Sequence, residues 1–227
     1  MARTEHPRFG LRRSAIFIAA LLAFPVPSSA YDTPLSDTAI REAYFLGQRH
    51  DESTAKFLDK YTKYFGPPKF GPQISSITLF TPFAQVVQQS DWHSVGYSAQ
   101  QAQLDHNGTA ESIKIIIQIQ FTESYGAFIP APGGSRSGSS TGFMLRPYDF
   151  WTDFQVQIFD REAKLKPASS SGRANFQCSE NGGCTLNGAT ITTEFPATAF
   201  DSDSATIQID PPEGEQFVVD FDLTSLR

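Results

Sequence analysis

Outside the first thirty residues the chain holds three imidazoles, His50, His93 and His106, and two of them sit among other reactive types. Ser90-Asp91-Trp92-His93-Ser94 and Asp105-His106-Asn107 carry the hydroxyl, imidazole and carboxylate of a hydrolase. Chain neighbours rarely form a catalytic triad, because its members converge from separate elements. Gly96-Tyr97-Ser98-Ala99-Gln100 lacks the last glycine of a nucleophile elbow. There is no H-E-x-x-H, no glycine-rich phosphate loop and no C-x-x-C. The spacing fits binding better than catalysis. Trp92, His93 and Tyr97 in a polar stretch suit stacking on a sugar or peptide, with His106 as a further candidate. The plain alternative is a loop anchored by its own aromatic rings.

Carboxylates crowd the C-terminal part. Asp201, Asp203, Asp210, Glu213, Glu215, Asp220 and Asp222 occur with no Lys or Arg between them. Asp201-Ser202-Asp203 is the candidate calcium loop, since calcium takes oxygen ligands from flexible acidic loops. Ser204-Ala205 breaks the calcium-loop spacing, so charge that keeps sheet edges from pairing is the competing reading. No cofactor is implied. Cys178 and Cys184 flank Asn181-Gly182-Gly183, residues that supply the positive φ of a hairpin tip. One disulfide pinning that hairpin is expected, contributing less than the usual ~2–4 kcal/mol because its loop is short.

The chain has 227 residues and a formal net charge of −6. Arg3, Arg8, Arg12 and Arg13 precede an apolar run from Ala15 to Val26, then Pro27-Ser28-Ser29-Ala30. Residues 1–30 read as a secretory signal peptide. The run is too short for a bilayer span of roughly 20 residues. Removing four arginines and Glu5 takes the net charge from −6 to −9. An acidic chain without a basic stripe argues against nucleic acid and anionic membranes.

Those candidates need a scaffold, and the scaffold reads mainly as β. Asp37 and Asp51 resemble helix caps, opening helices over 38–47 and 52–65; Gly66-Pro67-Pro68 ends the second. Residues 31–70 are therefore expected to form a helical hairpin, docking through Tyr44, Leu58, Tyr61 and Phe65. From Ile74 the period becomes 2. Ser75–Phe80 and Ala84–Gln89 read as strands broken at Thr81-Pro82, with 90–110 irregular. Ile113-Lys114-Ile115-Ile116-Ile117-Gln118-Ile119-Gln120-Phe121 alternates most clearly and is the expected central strand, with Ile116 the one apolar residue on its outer face. A glycine-serine loop follows at 130–142. Strands are then expected at 143–146, 150–159, 174–178, 184–186, 189–195, 205–210 and 216–223, with a loop at 167–172. This pattern predicts an immunoglobulin-like antiparallel β-sandwich over 71–227, with a closed β-barrel as the alternative. Twenty Phe in all fit a core filled with rings, or an apolar ligand cavity.

Arg41-Glu42-Ala43-Tyr44-Phe45-Leu46-Gly47-Gln48-Arg49, before a second helix and a sheet-rich remainder, resembles uncharacterised exported proteins of soil bacteria of the acidobacterial kind. The resemblance implies a periplasmic or extracellular setting and carries no activity. Expected functions are thus an exported non-enzymatic module for envelope structure or protein interaction, a hydrolase or carbohydrate-binding protein using 90–106, or an apolar small-ligand carrier.

Overall fold

The computed structural model describes residues 31–93, 95–131, 142–180 and 182–227. The segment assigned to a signal peptide and residues 132–141 of the glycine-serine loop lie outside the described residues, as do Ser94 and Asn181.

Side-chain caps set the helix starts. Ser36 Oγ accepts from Ala39 N at 3.2 Å and opens α1, Asp37–Gly47. Asp37 is the first helical residue rather than the cap, and its charge there complements the helix dipole. Asp51 caps α2, Glu52–Asp59, as expected, accepting from Ser53 N at 2.9 Å. α2 stops at Asp59, short of Phe65. The β-branched and aromatic residues beyond it form β1, Thr62–Tyr64, antiparallel to β2, Gln73–Phe80.

The largest correction lies between Thr81 and Gly108. The expected strand at 84–89 is part of α3, Pro82–Trp92, and much of the expected irregular stretch is α4, Ala99–Asn107. Thr81-Pro82 is a helix start. Thr81 Oγ1 accepts from Ala84 N at 3.3 Å, and Pro82 sits where a missing N–H costs nothing. Phe83, Val86, Val87 and Ser90 are buried at helical spacing. Phe83, Val86 and Val87 pack with Leu35, Ala39, Ile40, Ala43 and Ala102 into a second apolar cluster. α1 crosses α3 so closely that Gly47 lies against the backbone of Val87.

The period-2 stretch is β3, Ser112–Gln120. Ile113, Ile115, Ile117 and Ile119 are fully buried and their neighbours are not, as the alternation predicts. The remaining strands are β4 (Phe128–Pro130), β5 (Phe143–Leu145), β6 (Gln155–Asp160), β7 (Ala163–Lys164), β8 (Ser169–Cys178), β9 (Cys184–Pro196), β10 (Ser204–Asp210) and β11 (Phe217–Asp222). β8 absorbs most of the expected loop at 167–172, and β9 joins two expected strands into one. Phe150–Asp153 is a 3-10 turn that precedes β6.

These strands form antiparallel sheets ordered β1-β2-β3-β9-β8 and β11-β10-β6-β7, with β4 and β5 as a separate ribbon. Isoleucines of β3 share one core cluster with Ile158, Ala205, Ile207, Ile209 and Phe221 of the second sheet. Both larger sheets keep free edge strands among the described residues, so neither closes into a barrel. Phe150, Phe154, Phe195, Phe200 and Phe221 are buried in that cluster, with ring contacts such as Phe195–Phe200 at 5.9 Å. Tyr61 is buried against the sheets, while Tyr44, Leu58 and Phe65 are half-buried. Cys178 and Cys184 form the disulfide across the β8–β9 hairpin, and Gly182 in its tip has φ +85°.

Buried phenols make the fold sensitive to alkali. Burial pushes Tyr125 up to about 12, against the opposing Arg146 guanidinium 3.7 Å over its ring. Burial, then the charge of Asp105 and a hydrogen bond to it, raise Tyr97 to about 12. A folded-state pKa above the unfolded value near 10 means that the folded state holds the proton more tightly. Stability is complete below pH ~10 and is lost as pH rises through the window to about 12. The urea midpoint is expected to fall across that window, and less so in Tyr125→Phe. An equal fall in the variant would show that Tyr125 contributes nothing to it.

Candidate functional site

The outward parity of β3 has equivalents on every strand of its sheet. Cross-strand register aligns Thr62, Thr78, Ile116, Thr192 and Ser171 in one row, and Tyr64, Ser76, Gln118, Thr190 and Arg173 in the next. A third row holds Phe80, Lys114, Glu194 and Ser169. Five strands about 4.8 Å apart make a floor roughly 19 Å across. The first two rows, with Phe80, line an open trough of about 470 Å³, walled at one end by Gln88 and Trp92 of α3.

α3 aims Trp92 by amphipathicity. Its apolar side is clamped by α1, so Gln85, Gln88 and Trp92 face outward. Gln85 Nε2 donates to Ser112 O at 2.6 Å, fixing that side of α3 to the start of β3. Trp92 is 73% exposed, and Tyr64, on edge strand β1, is 69% exposed. Two large rings therefore stand in solvent at the trough rim.

Apart from Arg173, the floor is neutral, and it is already ordered. Thr190 Oγ1 lies 2.9 Å from Gln118 Oε1 and 3.1 Å from Asn175 Nδ2, and the Thr62 and Thr78 hydroxyls are 2.8 Å apart. Such groups can both donate and accept; Thr190 itself is buried, while Thr62, Thr78 and Gln118 are half-buried along the trough. Ile116 is the half-buried apolar spot at the centre.

The residues singled out from sequence do not share one cavity. Trp92 belongs to the trough. His93 has left α3 and stacks on Tyr97 at 4.5 Å, its Nδ1 2.7 Å from Gln89 O. Tyr44 Oη donates to Tyr97 O at 2.9 Å, so that stack closes the α1–α4 corner. His106 lines a separate cavity of about 260 Å³ with Asp105, Glu111, Lys114 and Glu194. Its Nε2 is 2.9 Å from Glu111 Oε1. Glu111 also accepts from Thr33 Oγ1 and Leu35 N, both at 2.6 Å. This carboxylate ties the lead-in, α4 and β3 together and has little capacity left for chemistry. Asp105 accepts from Gln101 Nε2 at 2.6 Å, and Glu194 pairs with Lys114 at 3.3 Å.

Asp201 and Asp203 are exposed on the loop before β10. What orders that loop is Asp160, which accepts from Asp201 N at 3.1 Å, from Ser202 N at 3.2 Å and from the Ser202 hydroxyl. Among the described residues no three His, Cys, Asp or Glu side chains converge as a metal would require. No described helix is long and apolar enough to cross a membrane. The β4–β5 ribbon exposes Phe128 and Phe143.

Sequence reasoning missed Tyr64, which it placed in a helix, and the threonine rows, which it saw only one strand at a time. Outward parity at Thr190, Thr192 and Gln118 was the available signal. No protein-family model and no curated protein sequence matches the chain.

Proposed function

We propose that this chain is an exported, non-enzymatic carbohydrate-binding module, attaching to envelope or extracellular glycan through the trough on its five-stranded sheet. The observation that carries this reading is the pair of exposed rings, Trp92 and Tyr64, at the rim of a floor whose hydrogen-bonding side chains are neutral except for Arg173. A sugar ring has an apolar C–H face and a rim of hydroxyls. Aromatic platforms suit the face, and side chains that both donate and accept suit the rim. A protein core ligand would want a deeper apolar cleft. The carboxylates near His106 are held in structural hydrogen bonds, which favours binding over hydrolysis. Export is supported by the leading apolar run and by the disulfide, which persists in oxidising compartments. An immunoglobulin-like sandwich carrying a helical hairpin belongs to the same proposal, supported by two antiparallel sheets on a shared core and by the adjacent α1 and α2.

The test is affinity electrophoresis of the chain lacking residues 1–30 through gels containing soluble polysaccharides. Retardation is expected in at least one gel. Trp92→Ala and Tyr64→Ala should each weaken it about tenfold or more, the loss of an aromatic anchor, at unchanged thermal midpoint. Unretarded migration in neutral and acidic polysaccharides alike, or full retention by both variants, would sink the reading.

A further inference from the structure

Arg173 is the only charged side chain lining the trough among the described residues. It is exposed, and no carboxylate pairs with it among them. The register explains why. Arg173 lies opposite Thr190, in the row of Gln118, Ser76 and Tyr64, none of which is charged. The acid on the same sheet face is Glu194, four positions along β9 from Thr190, roughly 13 Å at strand rise. Glu194 is engaged by Lys114 at 3.3 Å and by the Ser169 hydroxyl at 3.3 Å. Arg173 is thus a guanidinium without a carboxylate partner among the described residues, in a chain whose overall charge is negative.

A guanidinium presents a planar fork of donors that matches a carboxylate in two parallel hydrogen bonds. Here the fork stands at one edge of the floor, with Tyr64 at the opposite edge of the same row and Trp92 on the end wall. Resting on the carbohydrate-binding reading above, we infer that the trough selects a carboxylated sugar chain, a polyuronate, with one uronate carboxylate on Arg173. The rings and the Thr62, Thr78, Gln118 and Ser171 side chains that line the floor hold the sugar backbone, and Arg173 sets the charge preference.

The experiment is calorimetric titration of the chain lacking residues 1–30 with three probes: oligogalacturonides, neutral xylo-oligosaccharides and sulfated carrageenan oligosaccharides. Oligogalacturonides are expected to bind about tenfold or more tighter than xylo-oligosaccharides, the scale of a charge-assisted pair. Arg173→Gln should erase that difference, bringing oligogalacturonide affinity down to the level of xylo-oligosaccharides measured on the same variant, and Arg173→Lys should restore part of it. Equal affinity for neutral and uronate probes, unchanged in Arg173→Gln, would overturn the inference and leave the trough reading standing. Tighter binding of the sulfated probe would overturn the choice of carboxylate. No binding of any probe by the unaltered chain would overturn both.

Discussion

Replacing Ile117 with alanine is expected to cost about 2–5 kcal/mol of folding stability, whereas the same change one residue earlier, at Ile116, costs less than about 1 kcal/mol. Ile117 is fully buried between Ile77 and Ile191, its register partners on β2 and β9. Removing its outer carbons leaves a hole that flanking strands cannot close without breaking their ladders. Ile116 points the other way, into the trough, and is half-buried. A one-residue slip of β3 would exchange these two environments along the whole strand. Urea titration of both variants separates the cases. Equal losses, or a larger loss at Ile116, would contradict the register. A loss of that size at Ile117 is a large share of the roughly 5–15 kcal/mol that holds a domain folded.

Gly47→Ala is the second large effect, and two contributions of opposite sign decide it. Alanine is better than glycine inside a helix by about 1 kcal/mol, and Gly47 is the last residue of α1. Against that, a Cβ at Gly47 would lie 2.6 Å from Ser90 Cβ and closer still to the Val87 carbonyl. A backbone oxygen within a packed helix cannot move aside, so α1 and α3 must separate. Overpacking of this kind costs about 1–3 kcal/mol or more. With the contact at a rigid backbone carbonyl, the cost lies at the upper end of that range, and a net loss of up to about 2 kcal/mol is expected from those two figures. Gly66→Ala, where nothing lies within 4 Å, is the control and should change stability by less than about 0.5 kcal/mol. If Gly47→Ala were as stable as Gly66→Ala, the close crossing of α1 and α3 would be wrong. The consequence reaches the trough, because that crossing fixes the helix that carries Trp92.

How much of this was readable depended on whether a signal was local. The β3 alternation is local, since the isoleucines themselves state which side is wet, and the structure agrees residue by residue. Thr81-Pro82 is ambiguous locally. The pair ends a strand and caps a helix equally well, and Val86-Val87 suits either state; burial against α1, a tertiary fact, decided for helix. Tyr64 was hidden for the same reason. The 57–65 stretch keeps helical spacing of its aromatics, yet after Asp59 the chain gains more by pairing Thr62–Tyr64 with β2. At the candidate site Trp92 was visible as an aromatic in polar company, but its companions were not. Sequence neighbours suggested His93 and Tyr97, which stack with each other instead. Its trough-mates Ile116, Thr192 and Arg173 come from β3, β9 and β8, brought together only by strand order, which no local pattern encodes.

In the proposed function, the outer face of the five-stranded sheet is the surface that meets ligand. The most direct measurement is a map of backbone amide and tryptophan indole chemical shifts, recorded on isotope-labelled chain titrated with oligogalacturonide and, separately, with xylo-oligosaccharide. Saturable shifts are expected at 62–64, 76–78, 116–118, 171–173 and 190–192 and at the Trp92 indole, with the His93–Tyr97 corner and the His106–Glu111 cavity unmoved. Saturable shifts centred on either of those two places, with the sheet face silent, would contradict it.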